Sequence, residues 1–252
     1  MTSHRLIPLF SICALLSACT VTSTPFQYDV AASDVAGVSA DVERGDITVR
    51  GAQTEQVSIA GESWGRARDE DKAAERQAGN VWAVVMPESA SAPLHITATS
   101  DRGQAGVDFD IVAPAGLPAE IEVENGRVCL TDLRGQYDIE ASGVELDAVG
   151  GELEIQVGTG GVYGILDLEE GDDILIVTQG GDVDLQLPYG LDYDLSVWSH
   201  PDALMNIDVA GLWVEQRHDG YYAGRGLLGD VHITIISDTG DVTVRNTYSW
   251  LD

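Results

Sequence analysis

Seven glycines, Gly126, Gly135, Gly143, Gly151, Gly161, Gly171 and Gly181, punctuate the middle of the chain at steps of 9, 8, 8, 10, 10 and 10 residues. Each opens a short run in which apolar residues alternate with polar ones. The pairs are Val128 and Leu130, Tyr137 and Ile139, Val144 and Leu146, Leu153 and Ile155, and Val183 and Leu185. A two-residue period places one set of side chains on one face of a strand, so the pattern predicts half-buried β-structure with those residues inward. Glycine at each step supplies the positive φ that a sharp corner needs. Two units span roughly 18 to 20 residues, close to one coil of a stacked β-structure. The spacing predicts an all-β chain, a single-domain β-solenoid.

Outside the ladder the same alternation predicts strands at 38–42, 47–49, 57–59, 81–86, 94–98, 107–112, 231–236 and 242–245. Residues 66–78 break it, with no β-branched residue and strong helix formers, and predict one short helix lying on the surface through Ala67, Ala73, Ala74 and Ala78. Strands without helical crossovers argue against an open parallel α/β sheet, which needs covering helices.

The N-terminus predicts location. His4 and Arg5 precede an apolar run from Leu6 to Leu16, too short to span a bilayer and of secretory length. Leu16, Ser17, Ala18 and Cys19 follow and look like a bacterial lipobox, with cleavage before Cys19 and acylation of that residue. The expected organisation is a signal peptide over 1–18, an acylated Cys19 with a short polar tether over 19–26, and the folded domain over 27–252. Thr20, rather than aspartate, after the cysteine favours delivery to the outer membrane of a Gram-negative cell. With Cys13 in the signal and Cys19 lipidated, Cys129 has no disulfide partner and reads as a small buried hydrophobe.

Charge narrows the partners. The chain carries 42 acidic against 13 basic residues, net −29 at pH 7. Such a surface repels nucleic acid and attracts divalent cations or basic partners. The acidic clusters Asp167, Glu169, Glu170, Asp172, Asp173 and, separately, Asp182, Asp184 are candidate calcium ligands, but the tandem Gly-Gly-x-Gly-x-Asp repeat is absent, so a solvated acidic face and no cofactor is the preferred reading.

Gly-Asp followed by a β-branched residue recurs at Gly45-Asp46-Ile47, Gly181-Asp182-Val183, Gly229-Asp230-Val231 and Gly240-Asp241-Val242, where the aspartate is expected to bond corner amides. Arg44-Gly45-Asp46 spells an integrin-recognition tripeptide, yet the corner returns three times without arginine and reads as structural.

Four of these stretches carry a family resemblance: Val42-Glu-Arg-Gly-Asp-Ile-Thr-Val49, Ile121-Glu-Val-Glu-Asn-Gly-Arg-Val128, Thr178-Gln-Gly-Gly-Asp-Val-Asp-Leu-Gln-Leu-Pro188 and Ile236-Ser-Asp-Thr-Gly-Asp-Val-Thr-Val244. Over roughly 38–245 the chain resembles the bacterial putative-adhesin family, adhesin-like domains of unknown function. The resemblance implies a β-solenoid and brings no catalytic residues.

No nucleophile elbow, His-Glu-x-x-His or phosphate loop is present. His200 and His218, beside Asp202 and Asp219, are the remaining candidates for a metal or acid/base site. Tyr189, Tyr193, Trp198, Trp213, Tyr221 and Tyr222, six of sixteen aromatics within 34 positions, either cap the last coil or bind a partner; capping is preferred, and Tyr193, Trp198, Trp213, Tyr221 and Tyr222 are the partner-binding candidates. The sequence therefore predicts a non-enzymatic envelope or surface lipoprotein, held by its lipid anchor, that presents a rigid acidic solenoid to a protein or polysaccharide. A polysaccharide-active β-helix enzyme and an envelope-stress accessory protein are the alternatives.

Overall fold

Alternation becomes burial along the glycine ladder. In a computed structural model describing residues 20–247, the predicted inward residues Val128, Ile139, Val144, Leu146, Leu153, Ile155, Val183 and Leu185 are all buried. Burying each such side chain stabilises the fold by about 1.5 to 3 kcal/mol.

The first half runs β1 (Thr20–Ala31), a 3-10 turn, β2 (Val38–Arg44), β3 (Ile47–Ala52), β4 (Gln56–Ala67), α1 (Glu70–Gln77), β5 (Asn80–Val85), β6 (Leu94–Ser100), β7 (Ala105–Pro114) and the 39-residue β8 (Ala119–Val157). The second half holds β9 (Val162–Leu166), β10 (Asp173–Thr178), β11 (Val183–Leu187), β12 (Tyr193–Trp198), β13 (Met205–Asp208), β14 (Trp213–His218), β15 (Tyr221–Arg225), β16 (Val231–Ser237) and β17 (Val242–Asn246). All seventeen belong to one sheet, so the protein is all-β with one α-helix among the described residues.

Two parallel sets organise that sheet. In the first, β2 pairs with β6 and the start of β8, and β10 pairs with the end of β8 and with β16, which pairs in turn with β12. In the second, β3 pairs with β7 and the middle of β8, and β11 with β9 and β17. The inward residues of both sets form a single core. Each set covers the other, which removes the need for the helices that parallel sheets ordinarily require.

Antiparallel pairs flank these parallel sets. β4 pairs with β1 and β7, and β5 with β6; in the second half β15 pairs with β12 and β14. Phe26 stacks on Trp82 with ring centroids 3.7 Å apart and meets Phe109 edge-on, and both Phe26 and Trp82 pack against the core.

Three expectations change. Thr20 to Pro25 are not a tether: they form the first half of β1, paired residue by residue with β4. Pro25 is tolerated because β1 pairs only with β4 and the proline's missing N–H can face the free edge. The helix is shorter than 66–78, because Ala67 remains paired with Thr20 and Asp69 caps the first turn by accepting from Lys72 N; of its alanines only Ala73 is buried. Positive φ is not the general reason for the ladder glycines, since only Gly151 and Gly171 of the seven adopt it. Close backbone approach is the commoner reason. A Cβ on Gly126 would lie 1.7 Å from Gly45 O, and one on Gly181 would lie 1.6 Å from Gly160 O.

Three of the four corner aspartates, Asp46, Asp182 and Asp241, share this stacking. Asp46 N donates to Asp108 Oδ1 (2.9 Å), and Asp46 Oδ1 accepts from Arg127 N (2.9 Å). At the other end of the chain Asp182 Oδ1 accepts from Asp241 N (2.9 Å), and Asp241 Oδ1 accepts from Leu204 N (2.8 Å). Each carboxylate thus satisfies an amide on a neighbouring corner rather than on its own.

Candidate functional site

Outward positions of the first strand set line up across the sheet because paired residues share a face. Ser39 pairs with Glu120 on β8. Farther along, Glu154 pairs with Leu175, Leu175 with Thr234, Thr234 with Ser196, and Ser196 with Ala223. A groove of about 620 Å3 lies over this line, and its lining includes Glu120, Asp138, Glu152, Glu154 and Asp173 with no Lys, Arg or His. A second hollow of about 410 Å3 is lined in part by Glu122, Glu124 and Glu140, again without a cation.

Two of these carboxyls, Asp138 and Glu122, are pushed above their ordinary range. Partial burial, then the charges of Glu154, Glu120 and Glu140, push the Asp138 carboxyl above its ordinary range. Partial burial and the charges of Asp41, Glu140, Glu124 and Glu120 do the same for Glu122. Gln136 Nε2 donates to Glu152 Oε2 at 2.9 Å, a neutral contact that leaves the field uncompensated. Among the described residues no group of three or more His, Cys, Asp or Glu side chains is placed to hold a metal ion.

On the same face, a parallel line changes character toward the C-terminal end. Val177 pairs with Ile236, Ile236 with Trp198, Trp198 with Tyr221, and Tyr221 with His218. The Trp198 and Tyr221 rings lie 5.1 Å apart at 40°, and Tyr221 and His218 also 5.1 Å apart. Trp198 is 41% and Trp213 71% exposed, so both are free to touch a partner. Tyr193 and Tyr222 are not. Both are buried, Tyr193 Oη donates to Pro188 O at 2.6 Å, and burial pushes both phenols above their ordinary pKa. The aromatic group therefore splits between core and surface.

Several of the other candidate residues serve the fold. Asp172 is buried against Arg134, which also pairs with Glu169, and Asp172 Oδ2 accepts from Glu169 N. Asp184 pairs with Arg245 at 2.8 Å. Asp46 is occupied by Arg127, and Gly45 is buried beside Val107 O, so the Arg44-Gly45-Asp46 tripeptide is a corner rather than an extended loop. His200 contacts Asp202 at 3.7 Å in open solvent, and His218 lies against Tyr221, so carboxylates do gather in a groove but not beside these histidines. Cys129 faces outward and half-buried, since Val128 and Leu130 take the inward positions, and burial followed by the Glu145 charge raises its thiol pKa. The lipobox residues Leu16, Ser17, Ala18 and Cys19 lie outside the described residues.

The groove carboxylates were missed as a site in the sequence although their signal is there: acidic residues occupy the outward places of the ladder strands, as in Glu120, Glu122 and Glu124, Asp138 and Glu140, and Glu152 and Glu154.

No protein-family model matches the chain, and no curated protein matches it. Its structural neighbours are putative bacterial adhesins. A putative cell adhesion protein from Clostridium sporogenes ATCC 15579 is 9% identical with a TM-score of 0.49, over 90% of this chain and 100% of that one. A putative adhesin from Bacteroides fragilis NCTC 9343 is 13% identical with a TM-score of 0.33, over 89% and 97%. Another from Parabacteroides merdae ATCC 43184 is 7% identical with a TM-score of 0.27, over 88% and 96%. These neighbours bear the same designation as the family that the sequence motifs resemble; with TM-scores under 0.5 the likeness decides neither fold nor function for this chain.

Proposed function

We propose that this chain is a non-enzymatic, lipid-anchored envelope protein whose β-sheet winds as a solenoid and presents its acidic face to a cationic protein or polysaccharide. Stacked glycine corners (Gly240 over Gly181 over Gly160), corner-to-corner aspartate bonds and in-register parallel strands support the solenoid winding. The lipobox at Leu16 to Cys19 supports the anchor, and Thr20 supports outer-membrane delivery. The observation that carries the binding role is the groove itself, with five carboxylates in its lining and no cation. A partner bearing spaced positive charges relieves the repulsion from Glu154, Glu120 and Glu140 that adds to burial at Asp138, while nucleic acid is repelled.

Titration of signal-free protein with oligolysine and with a polyglucosamine tests this. Binding to at least one is expected at low salt, weakening at least tenfold between roughly 50 and 300 mM salt as screening shortens the field. The triple variant Glu120→Gln, Asp138→Asn, Glu154→Gln should lose most of that affinity while keeping its circular dichroism. Affinity for both polymers absent at low salt, or untouched in the triple variant, would reject the reading. Asp138 flanked by carboxylates also favours one rival, glycan cleavage, because hydrolytic carboxylate pairs need separated pKa values. Polysaccharide turnover lost on Asp138→Asn would establish that rival.

A further inference from the structure

The chain enters its sheet without slack. All twelve residues of β1 pair with β4, beginning with Thr20 opposite Ala67. Gln77 of α1 fixes the neighbourhood, donating through Nε2 to Thr24 Oγ1 (2.8 Å) and to Ser63 O (2.9 Å). Gly65 lets the helix sit on β4: a Cβ there would lie 2.3 Å from Ala73 O. Residue 19 is one peptide unit from Thr20, a Cα separation of about 3.8 Å, whereas a six-residue tether could reach about 20 Å.

We infer that the corner formed by the start of β1, the end of β4 and the first turn of α1 is a bilayer-facing surface, held against lipid headgroups by the anchor. The inference rests on the proposed acylation of Cys19. Charge suits it: residues 66–76 carry four cations (Arg66, Arg68, Lys72, Arg76) and four carboxylates, a neutral stretch in a chain of net charge −29. Arg66, Arg68, Lys72 and the 53%-exposed Val21 are all open to solvent at this corner. An anionic headgroup layer repels the acidic groove but not this end, so attachment here keeps the binding face away from the lipid. The anchor then orients the protein as well as retaining it.

The test uses acylated full chain in phosphatidylethanolamine/phosphatidylglycerol vesicles, in a Cys129→Ser background, with a fluorophore on either Arg68→Cys or Glu55→Cys. Glu55 borders the far end of β1, about 36 Å from Thr20 by strand rise. Headgroup-level spin-labelled lipid should quench position 68 several-fold more than position 55. Ten Gly/Ser residues inserted between Cys19 and Thr20 should bring position 68 down to the level of 55. Equal quenching of the two sites in vesicle-bound, acylated protein would overturn this inference alone, as would a difference that survives the insertion. Quenching of position 68 by a second labelled copy in detergent would reassign the corner to self-association. A free Cys19 thiol in the mass spectrum would overturn the anchor and the inference together.

Discussion

A Cβ added at Gly181 would sit 1.6 Å from the carbonyl oxygen of Gly160, whereas one added at Gly143 would find nothing nearer than 3.5 Å. Neither residue has a positive φ, so space alone separates them. Gly181→Ala must push two stacked corners apart and is expected to lower stability by about 1 to 3 kcal/mol, the usual range for overpacking. Gly143→Ala should stay within about 1 kcal/mol of the parent. Chemical denaturation of the two variants checks the contrast, and equal losses would show that corner stacking is not what fixes glycine at 181.

At the scale of elements, α1 depends on its cap. Asp69 Oδ1 accepts from Lys72 N at 2.9 Å, and that bond is the first cause holding the Asp69 carboxyl below its ordinary pKa. A carboxylate whose pKa falls on folding adds stability that is present above its unfolded pKa and is lost as pH drops through the folded value. Amides of α1 should therefore exchange faster in acid than at pH 7, relative to amides of β10. Asp69→Ala should bring the fast exchange to neutral pH. Unchanged protection of α1 in that variant would show that packing on Gly65, and not the cap, sustains the helix. β5 and β1 each pair with one strand only, so their stability rests on side chains such as Phe26 and Trp82 rather than on ladder bonds on both edges.

For the whole molecule the sign reverses. Glu122 and Asp138 have raised carboxyl pKa values, first through burial and then through Asp41, Glu120, Glu124, Glu140 and Glu154. A group whose pKa rises on folding opposes the fold once ionised, so stability should increase as pH falls from neutrality through those raised values and level off below the unfolded carboxylate pKa of about 4. The Asp69 loss begins lower, placing the optimum on the acid side of pH 7. Thermal unfolding across pH 4 to 8 should show it, and added salt at pH 7 should raise the midpoint by screening the same repulsion. In the double variant Glu122→Gln, Asp138→Asn both trends should flatten. A midpoint that falls monotonically from pH 7 to 5 would reject this account of the raised carboxyls.

Local periodicity determined the all-β class, the inward set from Val128 to Leu185 and the existence of the helix, because the side-chain direction in a strand depends only on its immediate neighbours. Its boundaries were not local. Ala67 stays in β4 and Thr20 enters β1 because each is the other's partner across 47 positions of sequence, which no window of local residues records. The same long-range register decided which carboxylates meet in the groove and why Gly181 must be glycine. Composition announced an excess of acid, but repulsion depends on separation, and only the stacking of β2, β8 and β10 set those separations.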